Sequence, residues 1–240
     1  PQSILDIGCG PGTAAWAGMD IWPSVTKATL VDRNPRLLDF ARELGGSHWT
    51  GIDFVQGEMA KSVAASPTAD VVMASYALTE IPVAGLNSIL SALWGRAQKM
   101  LVIVEPGTVN GFQRVLTYRD ALLAQGARII APCSHDGLCP LARHERWCHF
   151  SVRLPRSRDH LIVKDANVPF EDEKFSYLIA GKDIGAAHGR RVLATPKVTK
   201  AAIALTLCAP RQTEEHVVAR RDKDAYRNAK RLDWGDVTNL

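Results

Sequence analysis

A chain of 240 residues with 46% hydrophobic and 22% charged side chains can bury one substantial core, and a single α/β domain with an insertion is expected before two equal domains. No run of about 18 apolar residues occurs, which argues against a membrane-spanning helix. Five cysteines, an odd count in a chain this long, read as reduced thiols or metal ligands, not as a secreted disulfide scaffold. The formal charge of +4 is compatible with a polyanionic partner without proving one. The sequence begins at Pro1 without an initiator Met, so a further N-terminal segment is expected, and a targeting peptide would lie outside this sequence.

In chain order, Ser3 to Ile7 is a short apolar run stopped by glycines, and the helix-compatible Thr13 to Met19 follows it, a strand-loop-helix opening. Ala28 to Val31 predicts a second strand ending at Asp32, and Pro35 to Leu44 a helix closed by Gly45-Gly46. Further strands are expected at Ile52 to Val55, Asp70 to Ala74 and Met100 to Val104, with helices over about Gly85 to Lys99 and Phe112 to Ala124. Such alternation argues for a parallel sheet covered on both faces. From Ala131 to Asn167 the periodicity fails in a stretch rich in Cys, His, Arg and Pro. Residues 131–167 are therefore expected to be a loop-rich insertion that needs a staple or a function. Phe175 to Ala180 and Ala202 to Leu207 read as two late strands completing a mostly parallel seven-stranded sheet, and 214–231 reads as a basic C-terminal helix. The whole, 1–240, is expected to form one domain without internal repeats.

A glycine-rich turn between strand and helix lets backbone approach a ligand, and the helix N-terminus adds unpaired N–H donors. An acidic residue closing the next strand can accept hydrogen bonds from ribose hydroxyls. Gly8, Gly10, Gly12 and Asp32 occupy those places, the glycines within Asp6-Ile-Gly-Cys-Gly-Pro-Gly12, which departs from the G-x-G-x-x-G of dinucleotide sites. The stretch resembles the class I S-adenosylmethionine-dependent methyltransferases. That resemblance implies a Rossmann-like fold, a methionine-holding loop at Asp6, Gly8, Gly10 and Gly12, ribose binding by Asp32, and an adenine neighbour at Glu58 or Met59. Cys9 is expected to pack, not to react.

Methyl transfer to nitrogen or carbon relies heavily on placing the nucleophile in line with the sulfonium, and no catalytic residue is assigned. The end of the fourth strand reads Ala74-Ser75-Tyr76-Ala77-Leu78-Thr79-Glu80-Ile81. It lacks both the Asn/Asp-Pro-Pro-Tyr/Phe motif of base-amino methyltransferases and the Pro-Cys nucleophile of cytosine-C5 enzymes. Pro132-Cys133 is such a dipeptide, but among further cysteines its thiol reads better as a ligand. Tyr76 reads equally as a platform for a base and as an aromatic packed beside the cofactor. Glu105, ending the fifth strand, reads as a structural carboxylate before a general base.

Cys133, Cys139 and Cys148 fall within one polar segment, and Cys208 ends a late strand that can reach it across the fold. Four thiolates are the usual complement of a structural zinc ion or of an iron–sulfur cluster. The close Cys-x2-4-Cys pairs of zinc modules are absent. Spacing leaves the two nearly even, with the wide intervals and the Cys139-Pro140 step somewhat better suited to a cluster. His135, His144 and His149 are alternative ligands, though each reads more readily as a neighbour of the site.

Glu105-Pro-Gly-Thr108 with Gly111-Phe112, Ala131-Pro-Cys-Ser-His-Asp-Gly-Leu-Cys-Pro140, Trp147-Cys-His-Phe150 and Glu171-Asp-Glu-Lys-Phe-Ser-Tyr177 together carry a second resemblance. They are similar to the mitochondrial and bacterial small-ribosomal-subunit assembly factors of the methyltransferase-like protein 17 type. The resemblance spans nearly the whole chain and is most specific in the cysteine segment. It implies a class I methyltransferase fold, a [4Fe–4S] cluster on Cys133, Cys139, Cys148 and Cys208 in preference to zinc, and association with small-subunit rRNA and assembly intermediates. Members of that family generally lack a defined methyl acceptor. In them a helical region precedes the core, so part of the RNA surface is expected to lie outside this sequence.

Arg220, Lys223, Arg227, Lys230 and Arg231 recur at three- and four-residue steps, a basic stripe if the tail is helical, offset in part by Asp222 and Asp224. Arg190, Arg191, Lys197 and Lys200, with Arg153, Arg156 and Arg158 beside the cysteine segment, add charge that can neutralise phosphates. The expected function is an S-adenosylmethionine-dependent methyltransferase of the small-subunit type, acting on or docking to rRNA, with the cluster as a staple. The alternative is a non-catalytic rRNA-binding assembly factor on the same fold, with zinc as the alternative metal. A monomer in the bacterial cytoplasm is expected, with the mitochondrial matrix as the other compartment and no membrane partner.

Overall fold

The computed structural model describes residues 1–46, 49–142, 145–184 and 189–240. Its first half is built on five strands, β1 (Ser3–Ile7), β2 (Lys27–Asp32), β3 (Ile52–Gln56), β4 (Ala69–Ser75) and β5 (Ala97–Pro106). Strands covered on both faces need no polar alternation, and β1, β2 and β4 are buried along almost their whole length. They pair in parallel in the order β3-β2-β1-β4-β5. The crossovers run through α1 (Thr13–Ile21), α2 (Pro35–Gly45), α3 (Met59–Ala65) and α4 (Val83–Arg96).

The two-residue period of a strand sorts these side chains between two cores. Ile4, Val71 and Met73 face α1 and α2, where they join Ala15, Met19, Leu38 and Ala41. Leu5, Ile7, Val72 and Ala74 face the other layer, with Leu90, Leu93 and Trp94 of α4 and Tyr118 and Leu122 of α5 (Val109–Ala124). Each fully buried Leu or Ile contributes ~1.5–3 kcal/mol.

After α5 come β6 (Arg128–Ala131), β7 (Phe150–Pro155), α6 (Arg158–Val163) and β8 (Phe170–Gly181). β8 runs antiparallel between β5 and β6, giving β3-β2-β1-β4-β5-β8-β6, and β7 pairs with the first half of β8. This is the Rossmann-like arrangement of class I methyltransferases, with eight strands where seven were expected. The additional strand lies inside 131–167, a stretch that reads as loop. Its origin is the length of β8: twelve residues outrun β5 and β6, and β7 satisfies the backbone groups that would be left at its start.

Ala202 to Leu207 does not complete this sheet. It belongs to a second, wholly antiparallel one, formed by β9 (Arg190–Val192), β10 (Lys197–Val198), β11 (Ala202–Ala209), β12 (Gln212–Ala219) and β13 (Val237–Thr238). Burial alternates along β11, with Ile203, Leu205 and Leu207 fully buried against Val192, Val218 and Ala229. That alternation belongs to a sheet with one covered face. The cover is α7 (Lys223–Ala229), with Leu232 and Leu240 beside it.

The expected helix over 214–231 is corrected by the same sheet. Its first part is strand β12, and only Lys223–Ala229 is helical. β11 and β12 are joined by Pro210-Arg211, with Arg211 at φ 69°. Glycine or asparagine is the usual sign of such a left-handed turn, and an arginine there leaves the hairpin unannounced.

Candidate functional site

The chain direction of the crossovers reverses between β1 and β4, and ligands collect at such a switch point beyond the carboxyl ends of the strands. Here the loops after β1, β2, β3 and β4 surround a cavity of about 530 Å³. Gly8, Gly10, Asp32 and Glu58 all line it, whereas Asp6 and Gly12 lie behind its wall. All three loop glycines have positive φ, 70°, 54° and 79° for Gly8, Gly10 and Gly12. Their surroundings divide their roles. A Cβ on Gly8 would stand 2.5 Å from the Ala77 Cβ, and one on Gly12 would stand 2.8 Å from Trp16 Nε1, whereas one on Gly10 would meet nothing within 4 Å. Gly8 and Gly12 allow the loop to pack, and Gly10 faces open space.

The loop is pinned to β2. The Gly8 and Cys9 N–H groups donate to the Val31 carbonyl at 2.8 and 3.0 Å. Asp32 Oδ2 accepts from Gly10 N–H and its Oδ1 from Asn34 N–H, both at 2.8 Å. Each carboxylate oxygen retains acceptor capacity. Glu58 is exposed at the cavity edge and stands at the N-cap position of α3 without a capping bond from its side chain. Across the rim, Arg33 and Glu80 pair at 3.2 Å, both largely exposed, a contact worth about 0–1 kcal/mol. Cys9 is buried, its Sγ directed to the Gly10 carbonyl at 3.4 Å. Burial first, then Asp6 and Asp32, push its thiol well up, so it packs as a neutral group.

Asp6 is fully buried, and neither carboxylate oxygen has a hydrogen-bond partner. Burial lifts its pKa to about 7; the Ala15 amide in the first turn of α1 counters this in part without reaching hydrogen-bond geometry, and Asp32 adds to the rise. Tyr76 lines the cavity in a left-handed conformation, φ 55°, and is 48% exposed. Such strain on a bulky residue costs of order 1–3 kcal/mol and collects at functional sites.

Glu105 does not line this cavity. It is fully buried, its Oε1 accepting from the Tyr118 hydroxyl at 2.9 Å, while Oε2 has no partner and burial raises its pKa. Arg114 Nε donates to the same hydroxyl at 2.9 Å, and its Nη2 donates to the carbonyls of Leu78 and, at 3.2 Å, Ile81. Arg114 thus braces α5 against the loop after β4, and Glu105 ties β5 to the same helix.

The four cysteines outside the loop come together. Cys133, Cys139, Cys148 and Cys208 line one small apolar cavity between α5, β8 and the second sheet. Burial is the first cause pushing each thiol up, Cys208 to about 12 and Cys148 well above its ordinary value, and the neighbouring cysteines add to the rise at Cys139, Cys148 and Cys208. Among the described residues no group of three or more His, Cys, Asp or Glu converges as the ligands of one metal ion. His135 Nε2 lies 4.0 Å from Cys208 Sγ. His149 instead stacks on Trp147, and His144 lies outside the described residues.

Two arginines share this cavity: Arg119, which the sequence does not flag, and Arg191, which was expected on a phosphate-binding surface and instead lines this wall. Arg119 is 2% exposed; its Nη2 donates to the carbonyls of His135 and Gly137 at 3.1 and 2.6 Å, and its Nε has no acceptor. Its guanidinium lowers the Cys133 pKa against the effect of burial. Arg191 donates from Nε to the Pro132 carbonyl and from Nη1 to that of Gly235, each at 2.5 Å. The only available signal for Arg119 is position: with Phe112, Val115 and Leu122 it forms an i, i+3, i+7, i+10 face, a lone cation on the buried side of α5.

The cysteine segment is held by such side-chain bonds. Arg128 pairs with Asp136, whose Oδ1 accepts from Ile129 N–H at 2.8 Å; Ser176 Oγ donates to the Cys148 carbonyl at 2.8 Å. Of the expected basic surface, Arg153 forms a bidentate pair with Asp172, Arg156 pairs with Glu171, and Arg190 with Glu214. Lys197, Lys200 and the residues of the expected stripe, Arg220, Lys223, Arg227, Lys230 and Arg231, are exposed, but Arg227 pairs with Asp224 at 3.2 Å, Arg220 precedes α7 and Lys230 and Arg231 follow it, so the five do not form one helical stripe.

A family model described as mitochondrial small ribosomal subunit Rsm22 matches residues 1–239. The human mitochondrial ribosome assembly protein METTL17 is 30% identical over 258 aligned residues, covering 99% of this chain and 55% of that protein. Rsm22-cox11 tandem protein 2 of Schizosaccharomyces pombe is 29% identical over 168 residues, 58% of this chain and 21% of that one. This chain thus spans about half of the human relative and about a fifth of the yeast one. Among solved structures, precorrin 8W decarboxylase of Methanobacterium thermoautotrophicum aligns with TM-score 0.50 at 13% identity, covering 75% of this chain and 81% of that one, a likeness of fold.

Proposed function

The chain belongs to the mitochondrial small ribosomal subunit Rsm22 family, and from that premise we propose that it binds S-adenosylmethionine and docks on small-subunit rRNA during ribosome assembly, with a [4Fe–4S] cluster as a structural tie. The observation that carries the cofactor reading is the cavity at the β1/β4 switch point. Gly10 turns its bare face to it, and Asp32 keeps acceptor capacity beside it. In this reading Gly8, Gly10 and Gly12 shape the methionine end, Asp32 receives the ribose hydroxyls and Glu58 or Met59 flanks adenine. S-adenosylmethionine supplies an electrophilic methyl group on its sulfonium. The chain's own residues bind and orient it.

The donor set around the second cavity fits a cluster. Four desolvated thiols lining one apolar cavity cannot ionise side by side without a compensating charge, because each thiolate raises the cost of the next. A [4Fe–4S] core supplies that charge and, with four thiolates, leaves a net anion. Among the described residues the buried Arg119 has its Nε unpartnered and pairs with no carboxylate but the exposed Asp120, so such an anion would give it a counter-charge. Cys133, Cys139, Cys148 and Cys208 would hold the cluster, and Arg119 and Arg191 would balance it.

Titration calorimetry with S-adenosylmethionine on anaerobically purified protein tests the first part; no heat of binding, in wild type and Asp32→Ala alike, removes it. Iron and acid-labile sulfide near four of each per chain, with brown absorption, is expected for the second, and one colourless zinc per chain would replace it. A second reading, a non-catalytic assembly factor on the same fold, is favoured by one observation: Glu105, which ends β5, is fully buried and does not line the cavity. Transfer of labelled methyl to immature small subunits separates the two. The human and fission-yeast relatives are named as mitochondrial, which favours the matrix over the bacterial cytoplasm expected from the sequence.

A further inference from the structure

We propose that a third cavity, adjoining the cysteine site, is a recognition pocket for an unpaired RNA nucleobase that carries an exocyclic amino group. The proposal rests on the rRNA-docking reading and names what that surface would read. The cavity, about 330 Å³, lies where residues 146–149 meet the second sheet, and Cys148 belongs to both its wall and that of the cysteine cavity. Its volume falls at the lower end of the ~300–1,000 Å³ typical of small-ligand sites.

Three kinds of group line it. The aromatic wall is Trp147, stacked on His149 with centroids 5.1 Å apart and planes at 24°, and Trp234, which meets His149 edge-on at 5.1 Å and 81°. This wall is braced in advance: Trp147 Nε1 donates to the Gly107 carbonyl at 2.9 Å, and His149 Nδ1 lies 3.2 Å from the Trp147 carbonyl. All three rings are partly exposed. Pre-ordered aromatic surface binds at low entropic cost, and stacking on such rings is the main source of affinity for unpaired bases.

The second group is cationic: Arg146 and Lys197, both exposed, stand on the lining where the phosphates flanking a bound base would run. The third is Glu215, whose Oε1 accepts from Thr206 Oγ1 at 2.7 Å. A carboxylate is out of place on a surface that only neutralises phosphate. It is suited to the amino group of cytosine, adenine or guanine, whereas uracil lacks that group and flanks its single N3–H donor with two carbonyl oxygens that the carboxylate repels. The combination of rings, cations and one oriented carboxylate selects a base, and discriminates among bases.

The test is fluorescence anisotropy on the anaerobically purified full chain with labelled hexacytidylate, hexa-adenylate and hexauridylate, and with small-subunit rRNA. Cytidylate and adenylate should bind about ten-fold more tightly than uridylate. Trp234→Leu should weaken both by about ten-fold or more. Glu215→Gln, at an exposed position that leaves the fold intact, should level the preference among the bases, and Lys197→Ala should reduce the salt dependence while keeping that preference. Equal affinity for the three hexamers, or an unchanged preference in Glu215→Gln, overturns the proposal. Binding of rRNA without any hexamer binding removes the pocket and leaves the docking reading standing; failure of both ligands removes both.

Discussion

Gly10→Ala separates the folding role of the glycine loop from its binding role. Gly10 has φ 54°, and an added Cβ would meet nothing within 4 Å, so the cost to the free protein is the left-handed conformation alone, about 1–2 kcal/mol. Unfolding entropy of ~2.1 cal/mol/K per residue over 240 residues gives about 0.5 kcal/mol/K near the midpoint, so the variant should melt ~2–4 °C below wild type. S-adenosylmethionine at about a hundred times its Kd adds ~2.7 kcal/mol to the native state, which by the same conversion raises the wild-type midpoint by ~5 °C. In Gly10→Ala the methyl group occupies the open face that the ligand would approach, so this increment should disappear while the fold persists. Gly8→Ala is the contrast: its Cβ would lie 2.5 Å from that of Ala77, so its midpoint should fall further even without ligand. Differential scanning fluorimetry with and without ligand reads all three proteins. If Gly10→Ala keeps the full ligand-induced rise, the loop does not face the ligand and the placement of the cofactor is wrong.

Asp6 gives the free protein a pH dependence of stability. Its folded pKa, about 7, lies above the unfolded value of 3.8, so between those pH values the native state binds the extra proton. The unfolding free energy should therefore fall as pH rises through that window, by up to about 4 kcal/mol. Asp6→Asn should match wild type near pH 4 and exceed it near pH 8 in urea midpoint, and equal deficits at both pH values would contradict this account. Arg119→Leu removes the two carbonyl contacts and the buried cation, so anaerobic protein should lose most of its iron and ~3–5 kcal/mol of stability; full iron retention would show that the guanidinium balances nothing. Leu205→Ala, at a fully buried position of the second sheet, should cost ~2–5 kcal/mol in denaturant unfolding, and a change below about 1 kcal/mol would mean that this sheet is not packed as described.

What was legible in the sequence follows from how far apart the cooperating residues lie. Asp6 to Gly12 form one loop, and their geometry is dictated by neighbours within a few positions, so residue type and spacing sufficed. Asp32 was within reach because β2 follows by one crossover. The cysteines were legible as a set, but what surrounds them was not. Arg119 and Arg191 arrive from α5 and β9, and nothing in Tyr-Arg-Asp or Arg-Arg-Val distinguishes a buried guanidinium from a solvated one. β7 was hidden because its partner is the overhang of β8, a feature of length matching and not of local propensity. The hairpin at Pro210-Arg211 was hidden because an arginine occupies the left-handed position. With that turn unseen, the basic residues of 214–231 were laid on a helix that the structure ends at α7. The pairing of Arg153 and Arg156 with Asp172 and Glu171 was likewise invisible until β7 was placed against β8.

Helix α5 joins the two principal sites. Arg114 and Tyr118 reach toward Glu105 and the carbonyls of Leu78 and Ile81 at the edge of the glycine-loop cavity, while Phe112, Val115 and Arg119 line the cysteine cavity. A sixteen-residue helix moves as a unit, because its own hydrogen bonds resist local bending. A displacement of α5 that frees Arg119 from the His135 and Gly137 carbonyls is therefore expected to load the Arg114 bonds at the other cavity as well. Loss of the S-adenosylmethionine increment in Arg119→Leu would thus reflect a moved support, whereas the same loss in Gly10→Ala with iron content unchanged can arise only at the loop. Iron content has to be measured beside ligand response in every variant, since the pair of readings is what assigns a defect to one site or the other.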